Sequence, residues 1–484
     1  MRQRFDIQLK IGQTPISNIY INPKGKHALD QLIAALKEIY CNPEYNDRIF
    51  SIIEKYLPDV DLNNGRPGMN LWTVFVLGQV RLCLGESYCT LHNLANNHRL
   101  LRQLIGIEDT FGIEPFTFEY QNIYDNVRKL SSQMLSEIND VIVEFGHREV
   151  FKKKETTPLS LKTDSFVVES NVHFPTDYNL LWDCCRKCLD TMDYFRGKYP
   201  YIDGWRKIRH WYSDIKSKMR TVGRISSGGG KHKQEKLQKA TSEYLEKCTL
   251  LLHKIITEKN FLPVHTVRDI EKYLLLEEYT HLLVKHIDLL DRRVMKGEKI
   301  PHEEKMISIF ETYTEWIVKG KFRPSVELGK KLSITTDQFN LIVHYKIMDH
   351  EQDRDIVVEI VKTIMLKYKL INSISLDKGH WNADNKSLLE KEIPNVILPK
   401  LGRRTIAEKE LEESPKYKIL KNKHSAIESN INELEHRGLN RCPDRSDAHF
   451  STYITMGVCA YNLKKIGKKI LENQLKELLR KRAA

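Results

Sequence analysis

The chain is poor in the two residues that interrupt regular structure: its 484 residues include only 23 glycines and 16 prolines. Collagen-like and low-complexity chains are excluded, because they are rich in these residues. Hydrophobic residues make up 41% and charged residues 29% of the chain, which is typical of packed, largely helical globular structure. At ~150 residues per domain, this length predicts about three domains.

Cysteine is also scarce, and its count of nine is odd. The amino terminus has no apolar stretch of signal-peptide length, and the most apolar segment, 71–84, is interrupted by Gln79 and Arg81. We therefore expect reduced thiols without a disulfide framework, no membrane segment and a cytoplasmic location.

Motifs of several enzyme classes are missing. The chain has no P-loop, no dinucleotide fingerprint and no serine nucleophile elbow, and the glycines at 228–230 follow no predicted strand, which indicates a linker. Cys83, Cys89, His92 and His98 lack the short spacing of a zinc knuckle, so core packing explains them better.

Positive charge is abundant and unevenly distributed. The formal net charge is +13, and residues 205–239 alone contain eleven Lys or Arg against two acids. Trp205, Trp211 and Tyr212 lie among these cations, a mixture that suits either contact with phosphates and unpaired bases or a solvated helix face. The candidate DNA contacts in this segment are Arg206, Lys207, Arg209, Lys216, Lys218 and Arg220.

Hydrophobic periodicity predicts an α/β protein with four regions. Residues 1–155 read as helices. The unit around 66–107 has the size and rhythm of a helix-turn-helix that would recognise DNA, although small three-helix packing units that bind no DNA are at least as common. Residues 159–177 suit a buried strand pair, and further strands are predicted at 326–334, 339–347, 371–376 and 395–400. The predicted regions are a helical amino-terminal region (1–155), a discontinuous α/β domain (156–180 and 305–460), a helical insertion (181–304) and a basic carboxyl-terminal tail (461–484).

Three acidic residues are placed where they could carry chemistry. Asp164 lies inside an apolar strand, Asp377 directly follows another, and Glu428 lies near the edge of the buried stripe of a late helix. If they converge, their oxygens would favour a hard cation such as Mg²⁺, and a metal pair can promote attack on a phosphodiester. Taken singly, each acid is more simply explained as a surface or turn residue.

Four further aspartates fall near these segments: Asp177, Asp349, Asp353 and Asp355. Their positions at strand ends and helix starts favour turn and capping roles.

The chain resembles the insertion-sequence transposases of the DDE superfamily, in the bacterial group often left unclassified. The similar segments keep the family's order along most of the chain. They are RPGMNLWTVFVLGQVRLCLGESYCTLHNL (66–94), KTDSFVVESNVHFPTDYNLL (162–181), FETYTEWIVKGKFRPSVELGKKLSI (310–334), SLDKGHWNADN (375–385), VILPKLGRR (396–404) and HSAIESNINELEHRGLNRCPDRS (424–446).

This resemblance implies a ribonuclease H-like catalytic core, a mixed sheet with flanking helices, with Asp164, Asp377 and Glu428 as catalytic metal ligands. It implies Mg²⁺ dependence, with Mn²⁺ as a substitute, cleavage at transposon ends and strand transfer by the freed 3′ hydroxyl. The implied partners are double-stranded DNA, as terminal inverted repeats and target, and a second copy of the chain in a homodimer on DNA. The implied location is the bacterial cytoplasm, at the nucleoid when DNA is bound.

Two positions depart from the family pattern. Related transposases often carry Arg four residues before the Glu and Lys seven residues after it, where this chain has His424 and Glu435. His424 can still donate to a phosphate, whereas Glu435 cannot replace a lysine. Two alternatives therefore stay open: a decayed or repurposed transposase that only binds DNA, and a ribonuclease H-like nuclease without strand transfer.

Overall fold

The computed structural model of the protein describes residues 3–5, 13–57, 68–107, 116–318 and 325–483. The fold is mixed α/β, and the chain forms two compact units: residues 1–171 with 315–484, and residues 172–314. The described helices are α1 (Ala28–Cys41), α2 (Pro43–Tyr56), α3 (Leu71–Leu84), α4 (Tyr88–Asn97), α5 (Arg99–Leu104), α6 (Tyr120–Val127), α7 (Ser132–Phe145), α8 (Asp177–Lys198), α9 (Ile208–Ser227), α10 (Lys233–Glu258), α11 (Val267–Leu290), α12 (Asp353–Lys367), α13 (Ala383–Glu392), α14 (Ile406–Glu413), α15 (Pro415–Leu434) and α16 (Asp447–Ala483).

A single open sheet lies in the first unit. Its strands are β1 (Leu159–Glu169), β2 (Glu315–Val318), β3 (Val326–Thr336), β4 (Ile342–Ile347), β5 (Ile371–Leu376) and β6 (Asn395–Ile397). The order is β2-β3-β1-β5-β6, and β4 also pairs with β3. Strand β1 is antiparallel to β3 and parallel to β5, which is in turn parallel to β6. The sheet is therefore mixed, with its parallel half on the β5 side of β1.

The strand pair predicted at 159–177 is wrong. Residues 159–169 form one long strand, and no strand follows before α8 begins at Asp177. Strand β1 lies inside the sheet, and residues of both parities along it are buried, including Leu161, Phe166, Val167 and Val168. Burial of both faces accounts for apolar side chains at both parities in this segment. Pro175 lacks the N–H that a continued ladder would need.

The basic tail predicted at 461–484 is also not a separate region. It belongs to α16, which runs without a break from Asp447 and packs against α1, α3 and α7. Leu463, Ile466 and Ile470 are buried, because their helical spacing continues the apolar stripe into the supposed tail. Only the last turns of α16 are exposed and basic.

Helices α3 to α5 form the described part of the unit predicted to recognise DNA. Every residue of α3 except Leu84 is buried. Arg81 makes a bidentate ion pair with Asp444, and Arg102 donates to the backbone oxygens of Asn96 and Phe116. These two arginines hold the fold together, so their charge is not displayed to a phosphate backbone.

The second unit is helical and contains the predicted insertion, 181–304. Helices α8 to α11 pack around a core that includes Cys185, Cys248 and Trp205. All nine cysteines of the chain are free thiols. Among the described helices, none combines the length and apolar composition that crossing a bilayer requires.

Candidate active site

Asp164 and Asp377 lie next to each other where β5 ends beside the middle of β1. The parallel register pairs Thr163 of β1 with Leu376 of β5, so the next residue on each strand is an aspartate. Asp377 ends its strand in a tight turn, where its Oδ1 accepts a hydrogen bond from the N–H of Gly379 at 2.9 Å. Strand pairing, which the sequence does not state, thus brings together two of the three predicted acids.

The two carboxyl groups have opposite pKa shifts. Burial raises the pKa of Asp164 to about 6; the negative charges of Asp377 and Asp353 add to this, while the Ser165 backbone N–H, 2.7 Å away, opposes it. Burial is the largest single influence and acts to raise the pKa of Asp377, but the hydrogen bond and charge of His380, together with the backbone N–H groups of Gly379 and His380, lower that pKa overall. The pair therefore joins Asp377, which is held ionised, to Asp164, a buried carboxyl group that ionises less readily.

Asp353 is a third acid at this site, and sequence analysis assigned it only a capping role. The capping carboxylate of α12 is instead Asp355, whose Oδ2 accepts from the N–H of Gln352 at 3.1 Å. Asp353 accepts from Ser165 Oγ at 2.5 Å and from Lys331 Nζ at 3.0 Å. A helix start needs only one capping acid, and α12 has two, Asp353 and Asp355. The surplus acid was the sequence signal that could have marked Asp353 as a site residue.

The turn at Gly379 places Asp353 close to Asp377. A methyl group on Gly379 would lie 3.2 Å from Asp377 Oδ1 and 3.6 Å from Asp353 Oδ2. Both carboxylates therefore border the same small space above the glycine. A side chain at this position would fill that space.

Helix α15 packs on β1, β5 and β6. Asn340 Oδ1 links the helix to the sheet by accepting from Lys162 of β1 and from Asn430 of α15, each at 3.3 Å. Because strand side chains alternate between faces, Asp164 points to the same face as Lys162. The predicted acidic helix thus covers the face of the sheet on which Asp164 lies.

Of the two predicted residues on α15, His424 lies nearer the sheet. Its half-buried imidazole has a lowered pKa because burial outweighs the negative charges of Asp377 and Glu428. Glu428 is exposed. The ligand atoms of Asp164, Asp377 and Glu428 do not all lie within 4.8 Å of one another. The structure thus brings Asp353 and His424 near Asp377 and leaves Glu428 exposed.

A second acidic cluster lies at the β2 edge of the sheet and consists of Glu315, Asp349 and His350. Within the described ranges, it is the one group of three potential ligands whose ligand atoms all lie within 4.8 Å of one another. Asp349 and His350 have 72% and 80% of their side chains exposed. Lys330 donates to Asp349 at 3.1 Å and so already supplies a countercharge. These features are those of a solvated surface cluster.

The predicted DNA contacts of the second unit lie on or just before α9. Arg206, Lys207, Arg209 and Arg220 are exposed, whereas Lys216 and Lys218 are half-buried. Arg206 lies 3.5 Å from Asp203 and Lys218 lies 3.8 Å from Glu243. Within the part of the chain that the structure describes, Arg209 and Arg220 have no acidic partner within 4.0 Å.

The aromatic residues of this segment pack inside the unit. Trp205 is fully buried, and its indole N–H donates to Glu258, so this ring is not available to stack on a base. Lys247 lies 4.2 Å from the ring centre of Trp211, and Tyr212 packs edge-on against Trp182. The unpaired arginines, and not the aromatic rings, are the groups that α9 presents to a partner.

Comparisons of this chain with protein-family models, with curated proteins and with solved structures find no match.

Proposed function

We propose that this protein is a DNA transposase that cleaves transposon ends and joins them to target DNA by metal-dependent phosphoryl transfer. The mixed sheet flanked by helices, with the second unit inserted between β1 and β2, supports the ribonuclease H-like core that the resemblance implies. The observation that carries the proposal is that Asp164, inside β1, lies next to Asp377, which directly follows the adjacent parallel strand β5. Open α/β sheets bind their ligands where such parallel strands end.

The donor chemistry at this site suits a divalent metal ion. The carboxyl groups of Asp164, Asp377 and Asp353 lie near one another, and burial together with the charges of the other two raises the pKa of Asp164 to about 6. Carboxylate oxygens are the ligands that Mg²⁺ and Mn²⁺ favour. Asp164 and Asp377 would hold the ion, and Glu428 would complete the set implied by the resemblance.

The surrounding residues prepare these acids for that role. His380 and the Gly379 N–H keep Asp377 ionised and fix its Oδ1. Lys331 and Ser165 fix the two oxygens of Asp353 beside the pair. When bound, Mg²⁺ supplies activation of the attacking water or 3′ hydroxyl and stabilises the leaving oxygen.

The proposed partners are double-stranded DNA and a second copy of the chain. Arg209 and Arg220 of α9, for which the described residues supply no acidic partner, are the groups in the predicted segment best suited to contact the phosphate backbone. A homodimer on DNA follows from the reaction, because both ends of an element must be brought together.

The test compares Asp164→Asn, Asp377→Asn and Glu428→Gln with the exposed-residue control Asp384→Asn on a supercoiled plasmid carrying the DNA that flanks the gene. We expect Mg²⁺-dependent nicking by the native chain and the control, and its loss in the three site variants with DNA binding retained. Joined products would distinguish strand transfer from simple nuclease action. Undiminished nicking by Asp164→Asn or Asp377→Asn would rule out the proposed site.

The position of Glu428 favours a second candidate, a transposase that has lost catalysis and acts as a DNA-binding protein. Glu428 is exposed and lies outside a compact ligand group with the two aspartates. The same assay decides between the candidates, because a chain that only binds DNA will leave the plasmid supercoiled in both Mg²⁺ and Mn²⁺.

A further inference from the structure

A cavity of about 430 Å³ opens between α14 and α15 in the first unit. Four cationic side chains line it: Arg404, Lys409, Lys418 and Lys421. Two acids, Glu412 and Glu413, line it as well, and Arg404 lies 3.2 Å from Glu412. The lining therefore has two more positive than negative groups, and none of these residues was a candidate in the sequence.

The three lysines have no internal function that the structure reveals. Lys409, Lys418 and Lys421 are exposed, and no acidic oxygen among the described residues lies within 4.0 Å of their ammonium groups. Lysines that stabilise the fold elsewhere are paired, as Lys400 is with Glu408 at 2.9 Å. Unpaired cations gathered around a concave surface are suited to an anion brought by a partner.

The cavity lies on the helix that also carries His424 and Glu428. Lys421 precedes Glu428 by seven residues, which is two helical turns, so both side chains lie on the same flank of α15, ~10 Å apart along its axis. Successive phosphates of one DNA strand advance by ~3.4 Å along the duplex axis. A strand that crosses the acidic site along this flank would reach the cavity within about three nucleotides.

We propose that this cavity binds the phosphate backbone of the DNA strand that enters the acidic site, with Lys418 and Lys421 as its phosphate contacts. This inference rests on the proposed function for the identity of the strand. In the family pattern, a positive charge lies seven residues after the catalytic Glu, where this chain has Glu435. The proposal places the corresponding positive charge before Glu428 instead, in the first half of α15.

The first test measures how salt affects binding of a fluorescein-labelled, mixed-sequence DNA duplex to the full chain. The double variant Lys418→Gln/Lys421→Gln is compared with Lys362→Gln/Lys391→Gln, two exposed helical lysines on α12 and α13. Loss of two phosphate contacts should reduce the magnitude of the log–log salt slope by about 1.8, since each contact contributes about 0.9. The control pair should keep the native slope.

A second test changes the cavity in the opposite direction. Glu413→Gln removes an unpaired negative charge from the lining, whereas Glu410→Gln removes an exposed one from the same helix outside it. We expect Glu413→Gln to tighten duplex binding about two- to fivefold, the effect of one solvent-exposed charge. Glu410→Gln should leave the affinity unchanged.

Equal salt slopes for the two lysine pairs, or equal effects of the two glutamate changes, would overturn the proposal. A parallel titration with inorganic tripolyphosphate tests whether the cavity is a site for small anions. If Lys418→Gln/Lys421→Gln loses tripolyphosphate binding but keeps the native salt slope for the duplex, the cavity is a small-anion site and the proposal is overturned. Failure of the proposed function is seen separately, as undiminished nicking by Asp164→Asn. A native chain that does not bind the duplex would contradict both.

Discussion

Asp353 has a side chain whose two oxygens are held by groups from different strands, Ser165 of β1 and Lys331 of β3. Such an arrangement fixes the carboxylate near the turn that carries Asp377, without making it part of the helix cap. Residues that orient or neutralise a metal ligand commonly change metal affinity or activity by about 10- to 100-fold when replaced.

We therefore expect Asp353→Asn to slow plasmid nicking by about 10- to 100-fold and to raise the Mn²⁺ concentration needed for half-maximal thermal stabilisation. The control is Asp355→Asn in the same helical turn, which loses the capping box at a cost of about 1 kcal/mol but touches no site residue. Equal nicking rates for the two variants would show that Asp353 has no role in the site.

Buried histidines make the stability of the protein dependent on pH. Burial lowers the pKa of His286 to about 4 from its ordinary 6.5, and its Nε2 has no hydrogen-bond partner. Between these values the folded state binds fewer protons than the unfolded state. The contribution is therefore fully present above pH 6.5 and is lost as the pH falls toward 4.

His286→Leu should flatten this dependence. The native chain should lose up to about 3 kcal/mol of unfolding free energy between pH 6.5 and 4 through this residue, and the variant should not. Urea unfolding at several pH values measures the difference, with the exposed residue change His253→Gln as the control. A variant with the same acid sensitivity as the native chain would exclude His286 as its source.

At the scale of elements, the first unit depends on how closely α16 approaches α1. A Cβ added to Gly467 would lie only 1.6 Å from the backbone oxygen of Gln31. Backbone atoms cannot move aside as a flexible side chain can, so the glycine is what allows the two helices to pack at this distance.

Gly467→Ala should consequently destabilise the protein by about 1–3 kcal/mol, the usual cost of overpacking a core. Gly197→Ala is the matched control, because Gly197 lies in α8 and a Cβ there meets no atom within 4 Å. Its effect should be neutral or stabilising by less than about 1 kcal/mol. Thermal melts of both variants test this, and similar melting temperatures would argue against the tight crossing.

At the scale of the whole molecule, the proposed chemistry and part of the proposed DNA binding fall in different compact units. The acidic site belongs to the first unit, and α9 belongs to the second. Changes in α9 should therefore alter DNA affinity without altering metal binding at Asp164 and Asp377.

Arg209→Gln and Arg220→Gln should each reduce the magnitude of the salt slope of duplex binding by about 0.9, while the thermal shift produced by Mn²⁺ stays at its native value. Arg268→Gln, an exposed arginine of α11 outside the basic segment, is the control and should leave the slope unchanged. Slopes equal to that of the control would remove α9 from the proposed DNA interface.

Local sequence pattern was sufficient for many of the elements. The strand predicted at 371–376 matches β5, and the helix predicted at 354–368 matches α12 within one residue at each end. In these segments, apolar spacing and turn residues act over a few neighbours, and they agree with the final packing. Prediction failed at 159–177, where one strand that is buried on both faces, and not a pair of strands, accounts for the apolar pattern.

The sequence by itself determined that the chain is mixed α/β, that its cations concentrate in 205–239, and that Asp164 and Asp377 end up on or next to apolar strands. Tertiary structure alone decided that these two aspartates are neighbours, that Asp353 joins them, that Glu428 stays exposed and that Trp205 is buried. The physical reason is that strand register and helix docking depend on contacts between residues far apart in the chain. Residue spacing along the chain does not encode those contacts.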